Sequence, residues 1–283
     1  SETPSVREYL SKELRLTYEP GSAFLYSNVG YNLLELVIEK VTDRDFAEYM
    51  ATEVLGPLGM QSAGYTWKEE WARTMPMGYD LQGNPVSPYV YPAKASGGLF
   101  ASVEDIARFV SVGAYASGNS VLRQQSIRRM HKPEVALAGM FGLVADSYGF
   151  GHFIETLPAH KQAVWHGGQG HGWMTHFHLV PETGDGIVIL TNSQRSWPLI
   201  ADILKSWSTW SMIGSVQFSK IASASIVGWM LVGLLFFISI WRVGTIIHGV
   251  KTGIRKFTFL RLTRSWNRLC NFFLGMLAMI ILV

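Results

Sequence analysis

A run of 21 residues without a charge, Ile221–Trp241, restricts the possible folds of this chain more than any other stretch. A bilayer core about 30 Å thick is crossed by roughly 20 helical residues that rise about 1.5 Å each. The run therefore predicts a transmembrane helix. Trp241 stands at its end, where aromatic side chains favour the membrane interface. The alternative is a helix buried in a protein core, which can have the same apolar composition.

Charge is distributed unevenly about this run. Residues 1–202 hold all 21 acidic residues and 15 Lys and Arg, whereas residues 203–283 hold nine Lys and Arg and no acidic residue. A basic tail can also indicate nucleic-acid binding, but these cations lie between apolar stretches, which favours a membrane. Seven cations follow the run: Arg242, Lys251, Arg255, Lys256, Arg261, Arg264 and Arg268. The positive-inside rule predicts a cytoplasmic loop here, with residues 1–220 in the periplasm or outside a bacterial cell.

The predicted organisation has five segments: a domain over 1–212, a linker over 213–220, a transmembrane helix over 221–241, a basic loop over 242–269 and the start of a second transmembrane helix over 270–283. The last segment is apolar, but its length is too short to span a bilayer. The chain begins without Met or a secretory leader and stops inside an apolar run. We therefore expect both ends to be cut from a longer protein.

The first 200 residues mix helical and extended patterns. Val29–Val41 is apolar nearly all round and predicts a buried helix, and Ser102–Asp105 has the form of a capping box before another helix. Three short extended runs lie near the end of this region: Gln162–His166, Gly172–Val180 and Gly186–Thr191. Because Pro181–Asp185 supplies a turn, we expect the last two runs to pair as a hairpin.

Two short motifs contain residues whose side chains could take part in catalysis. The first is Tyr26-Ser27-Asn28, which precedes the apolar helix, and the second is His166-Gly167-Gly168, which ends an extended run. Each motif alone is a weak signal. A tyrosine is often a core residue with a satisfied hydroxyl, and a histidine before two glycines is often only a strand end.

Together with their surroundings, the two motifs resemble the class C β-lactamase and D-alanyl-D-alanine peptidase branch of the penicillin-recognising serine hydrolases. The matching stretches are Pro20–Tyr31, Pro57–Met60, Ala95–Ser102 and His166–Gly168, and the likeness covers about residues 5–205. The resemblance implies an α/β (α+β) fold, with a β-lactamase/transpeptidase-like antiparallel sheet flanked by helices. The domain over 1–212 would then be a serine hydrolase domain that is incomplete at its N-terminus.

The resemblance also implies catalytic roles. Tyr26 would transfer the proton during acylation of a serine, Asn28 would contact the substrate amide and position a lysine, and His166 would be a hydrogen-bond donor near the tyrosine oxygen. A tyrosine has a pKa near 10, so it can act as a base only if nearby cations favour its ionised form. In the family, a lysine three residues after the nucleophile helps to do this.

Further residues of the two motifs are implied to bind substrate. Ser27 lies between the catalytic candidates, and Gly167 and Gly168 would let substrate backbone lie along the strand edge without a clash. The main-chain N–H near Gln169 could supply half of an oxyanion hole. No cofactor is expected. The expected partners are a small-molecule or peptide substrate and a lipid bilayer, with no nucleic acid.

The nucleophile motif of this family, Ser-x-x-Lys, does not occur in the chain, because none of its lysines has Ser or Thr three positions earlier. We expect the motif to lie before Ser1, so this chain alone should be inactive. The alternative is a non-catalytic cell-wall-binding or sensor module of the same fold. The substrate stays open among a stem peptide, a D-amino-acid amide, a β-lactam and an ester.

A metal site is a rival interpretation. Four histidines, His166, His171, His176 and His178, lie within 13 positions, and the last two would share one strand face. No carboxylate or cysteine lies among them in sequence, and the His-Glu-x-x-His spacing of metalloproteases is absent. We expect no metal and interpret the paired histidines as part of a polar sheet face.

Overall fold

The computed structural model describes residues 10–11, 15–118 and 121–254. Its contacts divide the chain into two compact units, Ser1–Lys220 and Ile221–Val283. The predicted start of a second transmembrane helix and most of the predicted basic loop lie outside the described residues.

The first unit is built on a six-stranded sheet in which each strand pairs antiparallel with the next one along the chain. Its strands are β3 (Val135–Ala136), β4 (Ser147–Tyr148), β5 (Phe153–Thr156), β6 (Gln162–Gln169), β7 (Met174–Val180) and β8 (Asp185–Thr191). Two short strands, β1 (Gly78–Tyr79) and β2 (Pro85–Val86), form a separate ribbon. The three longest strands include the extended runs predicted from sequence, with boundaries shifted by a few residues.

The predicted hairpin is confirmed. Strands β7 and β8 pair over their whole length, with Val180 opposite Asp185 at the turn. Gly184 has a φ of 78°, a left-handed conformation that glycine adopts without a side-chain clash. The turn residues therefore set the register of the pair, as their composition indicates.

The helices of the described chain are α1 (Asn28–Thr42), α2 (Phe46–Met50), α3 (Val103–Val112), α4 (Gln124–Met130), α5 (Trp197–Trp210) and α6 (Lys220–Lys251). Helix α2 continues into a π-helical turn over Ala51–Leu55. The capping box at the start of α3 is confirmed, since Ser102 and Asp105 each accept a hydrogen bond from the other's main chain. This arrangement satisfies two N–H groups that an α-helix leaves free at its start.

Helices cover both faces of the sheet and so confirm the predicted class of an antiparallel sheet flanked by helices. On one face, Val110 of α3 packs in a buried cluster with Ile154, Val164 and Leu179. On the other face, α5 buries three large side chains: Ile200, Leu204 and Trp207. Side chains alternate across a strand, so each strand supplies both layers of the core.

Helix α1 differs from its prediction as a helix buried all round. Leu34, Val37 and Val41 are exposed, and the buried residues of the helix are Asn32 and Glu35. The polar face is turned inward because the Glu35 carboxylate accepts main-chain hydrogen bonds from another segment. Apolar composition alone did not reveal which face would be buried.

The second unit is described by α6 alone. The apolar helix over Gln217–Lys251 is long and apolar enough to cross a membrane, and no other helix in the described ranges meets that criterion. Its 35 residues correspond to about 52 Å at 1.5 Å per residue, which exceeds a bilayer core of about 30 Å.

Candidate active site

The Tyr26-Ser27-Asn28 motif lies where an extended segment enters α1. Ser27 has extended backbone angles and caps the helix, since its Oγ accepts a hydrogen bond from the N–H of Gly30 at 3.2 Å. Serine is a preferred residue at this position because its hydroxyl satisfies a free N–H of the first turn. The cap therefore fixes Tyr26 immediately before the helix and Asn28 at its first position, with all three side chains exposed.

The second motif lies on the half of β6 that has a neighbour on one side only. Strand β5 pairs with Gln162–Trp165, and in the described residues no strand pairs with the same side of His166–Gln169. The N–H of Gly170 bonds to the Trp173 carbonyl of the β7 side. Because bonding direction alternates along an antiparallel strand, Gly167 and Gln169 turn their main-chain groups to the open side.

Both glycines of this motif stand where a side chain would collide. A Cβ on Gly168 would lie 2.4 Å from Oγ1 of Thr175, and one on Gly167 would lie 3.2 Å from the Trp197 ring. The glycines therefore let β6 approach β7 and α5 closely. They also leave the open strand edge free of side chains.

The rings of Tyr26 and His166 lie beside each other at a tilt, although 140 positions separate the two residues in sequence. Their ring centroids are 6.0 Å apart with an interplanar angle of 36°. The His166 Nδ1 lies 2.8 Å from the Gly167 carbonyl oxygen. Because a carbonyl only accepts, this contact places a proton on Nδ1 and leaves Nε2 of the neutral ring as an acceptor.

The electrostatics of the pair favour neutral forms. Burial lowers the pKa of His166, opposed by its bond to the Gly167 carbonyl. Burial, and then the nearby Tyr31, raise the pKa of Tyr26. At neutral pH the site thus presents a phenol beside an uncharged imidazole. A phenol becomes a proton acceptor only when a cation lowers its pKa.

Aromatic rings flank the two side chains. Phe141 stacks against Tyr26 with an interplanar angle of 17°. The ring centroids of Phe153 and His166 are 5.4 Å apart. The ring centroids of Tyr148 and His166 are 6.4 Å apart. The hydroxyl oxygen of Tyr148 lies 3.4 Å from that of Tyr31. Burial and this hydrogen bond raise the pKa of Tyr148. The rings exclude water from one side of the imidazole and so account for its lowered pKa.

Glu35 was not identified from sequence, yet it positions a loop beside the motifs. Its Oε2 accepts the N–H groups of Lys94 and Ala95, each at 2.7 Å. Burial raises the pKa of Glu35, and the two main-chain bonds oppose the rise. The carboxylate thus fastens the start of the Ala95–Ser102 stretch to the helix that begins at Asn28. A carboxylate in the middle of the apolar run Leu33–Ile38 was the available signal.

The four histidines of the rival metal interpretation do not converge. His166 faces Tyr26, His171 is exposed in the loop after β6, and His176 and His178 are buried on the opposite sheet face. Across the part of the chain that the structure describes, no three His, Cys, Asp or Glu side chains are grouped as metal ligands.

His176 and His178 form a buried histidine cluster with Glu155 rather than a solvated polar face. His178 Nε2 lies 3.1 Å from Glu155 Oε1, and His176 Nε2 lies 3.3 Å from His178 Nδ1. Burial and the two neighbouring imidazoles of His178 and His166 lower the pKa of His176. The two histidines thus share one polar sheet face, as interpreted from the sequence, and Glu155 on β5 adds a buried carboxylate that strand alternation alone does not reveal.

Comparison with known proteins agrees with this geometry. The family model described as Beta-lactamase matches residues 5–204. Protein flp of Staphylococcus aureus (strain MRSA252) is 25% identical over 276 residues, which cover 90% of this chain and 52% of that protein. The chain thus spans about half the length of this relative.

Two further similarities concern a peptidase and a solved structure. The D-aminopeptidase of Gluconobacter oxydans (strain 621H) is 26% identical over 196 residues, which cover 67% of this chain and 35% of that enzyme. The octameric penicillin-binding protein homologue from Pyrococcus abyssi superposes with a TM-score of 0.64 at 25% identity, covering 74% of this chain and 48% of that one.

The family match extends over well more than half of the chain. It includes both motifs, the six-stranded sheet and the helices that cover it. This chain therefore belongs to the Beta-lactamase family of serine hydrolases.

Proposed function

We propose that this chain is part of a membrane-tethered serine hydrolase that acts through an acyl-enzyme on a peptide, amide or ester of the D-amino-acid or cell-wall type. The nucleophile of Ser-x-x-Lys form would come from sequence outside the chain, which contains no such motif. The D-aminopeptidase similarity and the penicillin-binding homologue support this substrate class.

The observation that carries the proposal is the meeting of the two motifs. Tyr26 at a helix start and His166 on an open strand lie within 6.0 Å of each other, measured between ring centroids. Acyl transfer needs a group that accepts the serine proton and later returns it to the leaving group. A phenol beside an imidazole, next to free main-chain donors, offers that combination.

Each motif residue then has a role. Tyr26 transfers the proton once a lysine cation from the nucleophile motif lowers its pKa, since within this chain burial and Tyr31 raise it. Asn28 contacts the substrate amide and that lysine. His166 supports Tyr26, as an acceptor through Nε2 when neutral and as a donor when protonated.

Substrate backbone would bind along the open half of β6. Gly167 and Gln169 direct their main-chain groups to that side, and the N–H of Gln169 would serve as half of an oxyanion hole. An extended peptide that adds to a strand edge gains main-chain hydrogen bonds with little dependence on its side chains. Ser27 and Gly168 would border the bound substrate.

The membrane part of the proposal rests on α6 and on charge. The helix is apolar enough to span, and the alignment with the staphylococcal protein covers more than the 220 residues of the first unit, so it extends into the second unit. The cations after Trp241 favour a cytoplasmic loop over 242–269. The hydrolase domain would then face the periplasm or exterior, with 221–241 in the bilayer.

Intact-mass spectrometry tests the acyl-enzyme. The complete parent protein and this chain are each incubated with a chromogenic β-lactam and with a D-alanyl ester. We expect an acyl adduct on the complete protein and none on the chain, because losing the serine nucleophile of a hydrolase costs up to about 10⁶-fold in rate. An adduct on any serine of the chain would contradict the assignment of the nucleophile.

A non-catalytic cell-wall-binding module is the second candidate, favoured by the raised pKa of Tyr26 and the lack of Ser-x-x-Lys in the chain. It predicts that the complete protein binds a D-alanyl-D-alanine peptide reversibly and never acquires an adduct. Calorimetric binding without acylation would therefore replace the first proposal with this one.

A reporter fusion tests the topology separately. A reporter that is active only in the cytoplasm should give signal when fused after Lys256 and none when fused before Ile221. The reverse pattern would place the hydrolase domain in the cytoplasm.

A further inference from the structure

The turn after α5 carries two of the most exposed apolar side chains of the first unit. Trp210 is 82% exposed and Met212 is 89% exposed. Met212 also has a φ of 52°, the left-handed conformation in which a Cβ is disfavoured and glycine is the usual choice at a helix end. The methionine side chain thus occupies a strained position and faces solvent instead of the core.

The segment that follows this turn is fastened to the sheet. Three of its apolar side chains are buried: Ile213, Val216 and Phe218. Gln217 bonds twice to the sheet region, through its N–H to Glu155 Oε2 at 2.6 Å and through Nε2 to Asp146 Oδ1 at 2.7 Å. Residues 213–219, within the predicted linker, are therefore packed and hydrogen-bonded.

Chain length places the turn near the start of the apolar helix. The apolar stretch Gln217–Lys251 begins with a 3₁₀ turn over Gln217–Ser219 and continues as α6. The five steps from Met212 to Gln217 reach at most about 18 Å even when fully extended. In sequence, the turn therefore ends five residues before an anchored residue at which the apolar stretch starts.

The composition around the turn suits a lipid interface. Tryptophan concentrates at the headgroup level, where its ring meets apolar chains and its N–H meets water. Lys205 precedes the turn and Lys220 follows it, and both are exposed. Cations near a bilayer surface are attracted by anionic lipids.

We propose that the turn Trp210–Met212 inserts into the interfacial layer of the bilayer on the side of the hydrolase unit. This rests on the membrane span of the proposed function. Lipid is favoured over a protein partner because the anchored chain enters the span within a few residues of the turn. A groove of about 520 Å³ lies beside Trp210 and continues this surface; Ile187, Ile203 and Trp207 line it together with Asp202 and Ser206.

Site-specific fluorescence tests the insertion. The one cysteine of the chain is replaced, Cys270→Ser, and single cysteines are introduced in separate variants by Met212→Cys, Leu199→Cys and Leu234→Cys. Each is labelled with an environment-sensitive dye and reconstituted into vesicles of phosphatidylcholine and phosphatidylglycerol that carry nitroxide quenchers at shallow or deep positions. Leu199 is the matched control, because it is exposed on the same helix about 16 Å from Trp210.

We expect the probe at 212 to shift to the blue and to lose intensity with the shallow quencher. The probe at 234 should respond to the deep quencher, and the probe at 199 to neither. A probe at 212 that behaves like the one at 199, while 234 is quenched at depth, would overturn the insertion and leave the span intact. If 234 is not quenched either, the span itself fails.

Dilution separates lipid from a second copy of the chain. The signal at 212 should be unchanged when the ratio of protein to lipid is lowered tenfold. A blue shift that disappears on dilution would identify a protein interface and overturn the proposal. The double variant Trp210→Ser with Met212→Ser, labelled at Ser211→Cys, should lose the shallow quenching, and quenching that persists would also count against it.

Discussion

Histidines on two adjacent strands of one sheet have opposite surroundings. His166 lies on the open half of β6, partly exposed and opposite Tyr26, whereas His176 and His178 on β7 are at most 1% exposed and bonded among themselves and to Glu155. Residue type does not distinguish them. The difference lies in the face of the sheet and in whether a neighbouring strand covers the edge.

The two regions of the sheet differ in what their polar groups are available for. The open region leaves main-chain and side-chain groups free for a substrate. In the buried histidine cluster, the Glu155 carboxylate accepts the N–H of Gln217 and so holds the segment that leads to the apolar helix. The Nδ1 atom of His176 has no hydrogen-bond partner among the described residues. Substitutions in the open region should therefore change rates, and substitutions in the buried region should change stability.

The largest effect is expected at Tyr26 in the complete protein. Tyr26→Phe should lower the acylation rate about 10²- to 10⁴-fold, the usual range for a group that transfers a proton. Stability should change by less than about 1 kcal/mol, because the lost hydroxyl lies on an exposed side chain. Stopped-flow acylation and thermal melts measure both quantities. If the variant acylates at the full rate, Tyr26 has no catalytic role, and the expected difference between a region that affects rates and a region that affects stability is wrong.

The next effect is expected at Glu155. Glu155→Ala removes the acceptor of the Gln217 N–H and the carboxylate that lies 3.1 Å from Nε2 of His178, both in a fully buried position. We expect a cost of about 3 kcal/mol in the free energy of unfolding. Urea unfolding in mild detergent measures this loss in the free energy of unfolding. Glu134→Ala is the control, since its pair with Arg129 is partly exposed and should contribute at most about 1 kcal/mol. Equal losses for the two variants would show that the buried cluster gives no special support.

Acid should lower the stability of the first unit through two other buried histidines, His131 at the end of α4 and His152 before β5. Burial lowers the pKa of His131 to about 3 and that of His152 to about 4. Both are neutral in the folded and unfolded states well above pH 6.5, so they have no effect there. Between about pH 6.5 and 4 the unfolded chain binds protons that the folded chain excludes, and stability should fall by about 1.4 kcal/mol per pH unit for each histidine.

Urea unfolding at several pH values measures this slope. His131→Gln should make the slope of stability against pH shallower by about one proton. A slope that does not respond to the change at His131 would contradict the burial of a neutral imidazole there.

The smallest effect is expected at Ser27. Ser27→Ala should cost about 1 kcal/mol of stability because α1 loses its cap, and Ser27→Gly should cost only a few tenths. Acylation by the complete protein should change little if the serine only caps the helix. A large loss of rate in both variants, at small stability cost, would show that Ser27 also contacts the substrate.

Local features of this protein were determined by the sequence itself. The cap at Ser27, the capping box at Ser102 and the turn between β7 and β8 depend on hydrogen bonds that span a few residues, so composition and spacing are sufficient to predict them. The apolar run that forms α6 is equally local, because helix length and hydropathy follow directly from the residues. The family motifs belong to the same class of short, contiguous signals.

The tertiary structure alone decided the rest. It brought Tyr26 to His166 across 140 positions, placed Glu155 beside His178 and turned the polar face of α1 toward the Lys94–Ala95 turn. These contacts depend on strand order, on register and on which helix face finds an acceptor or a donor. Such choices are made by packing between distant segments. The family resemblance of the two motifs implied the first of these contacts, and no local pattern in the chain encodes the other two.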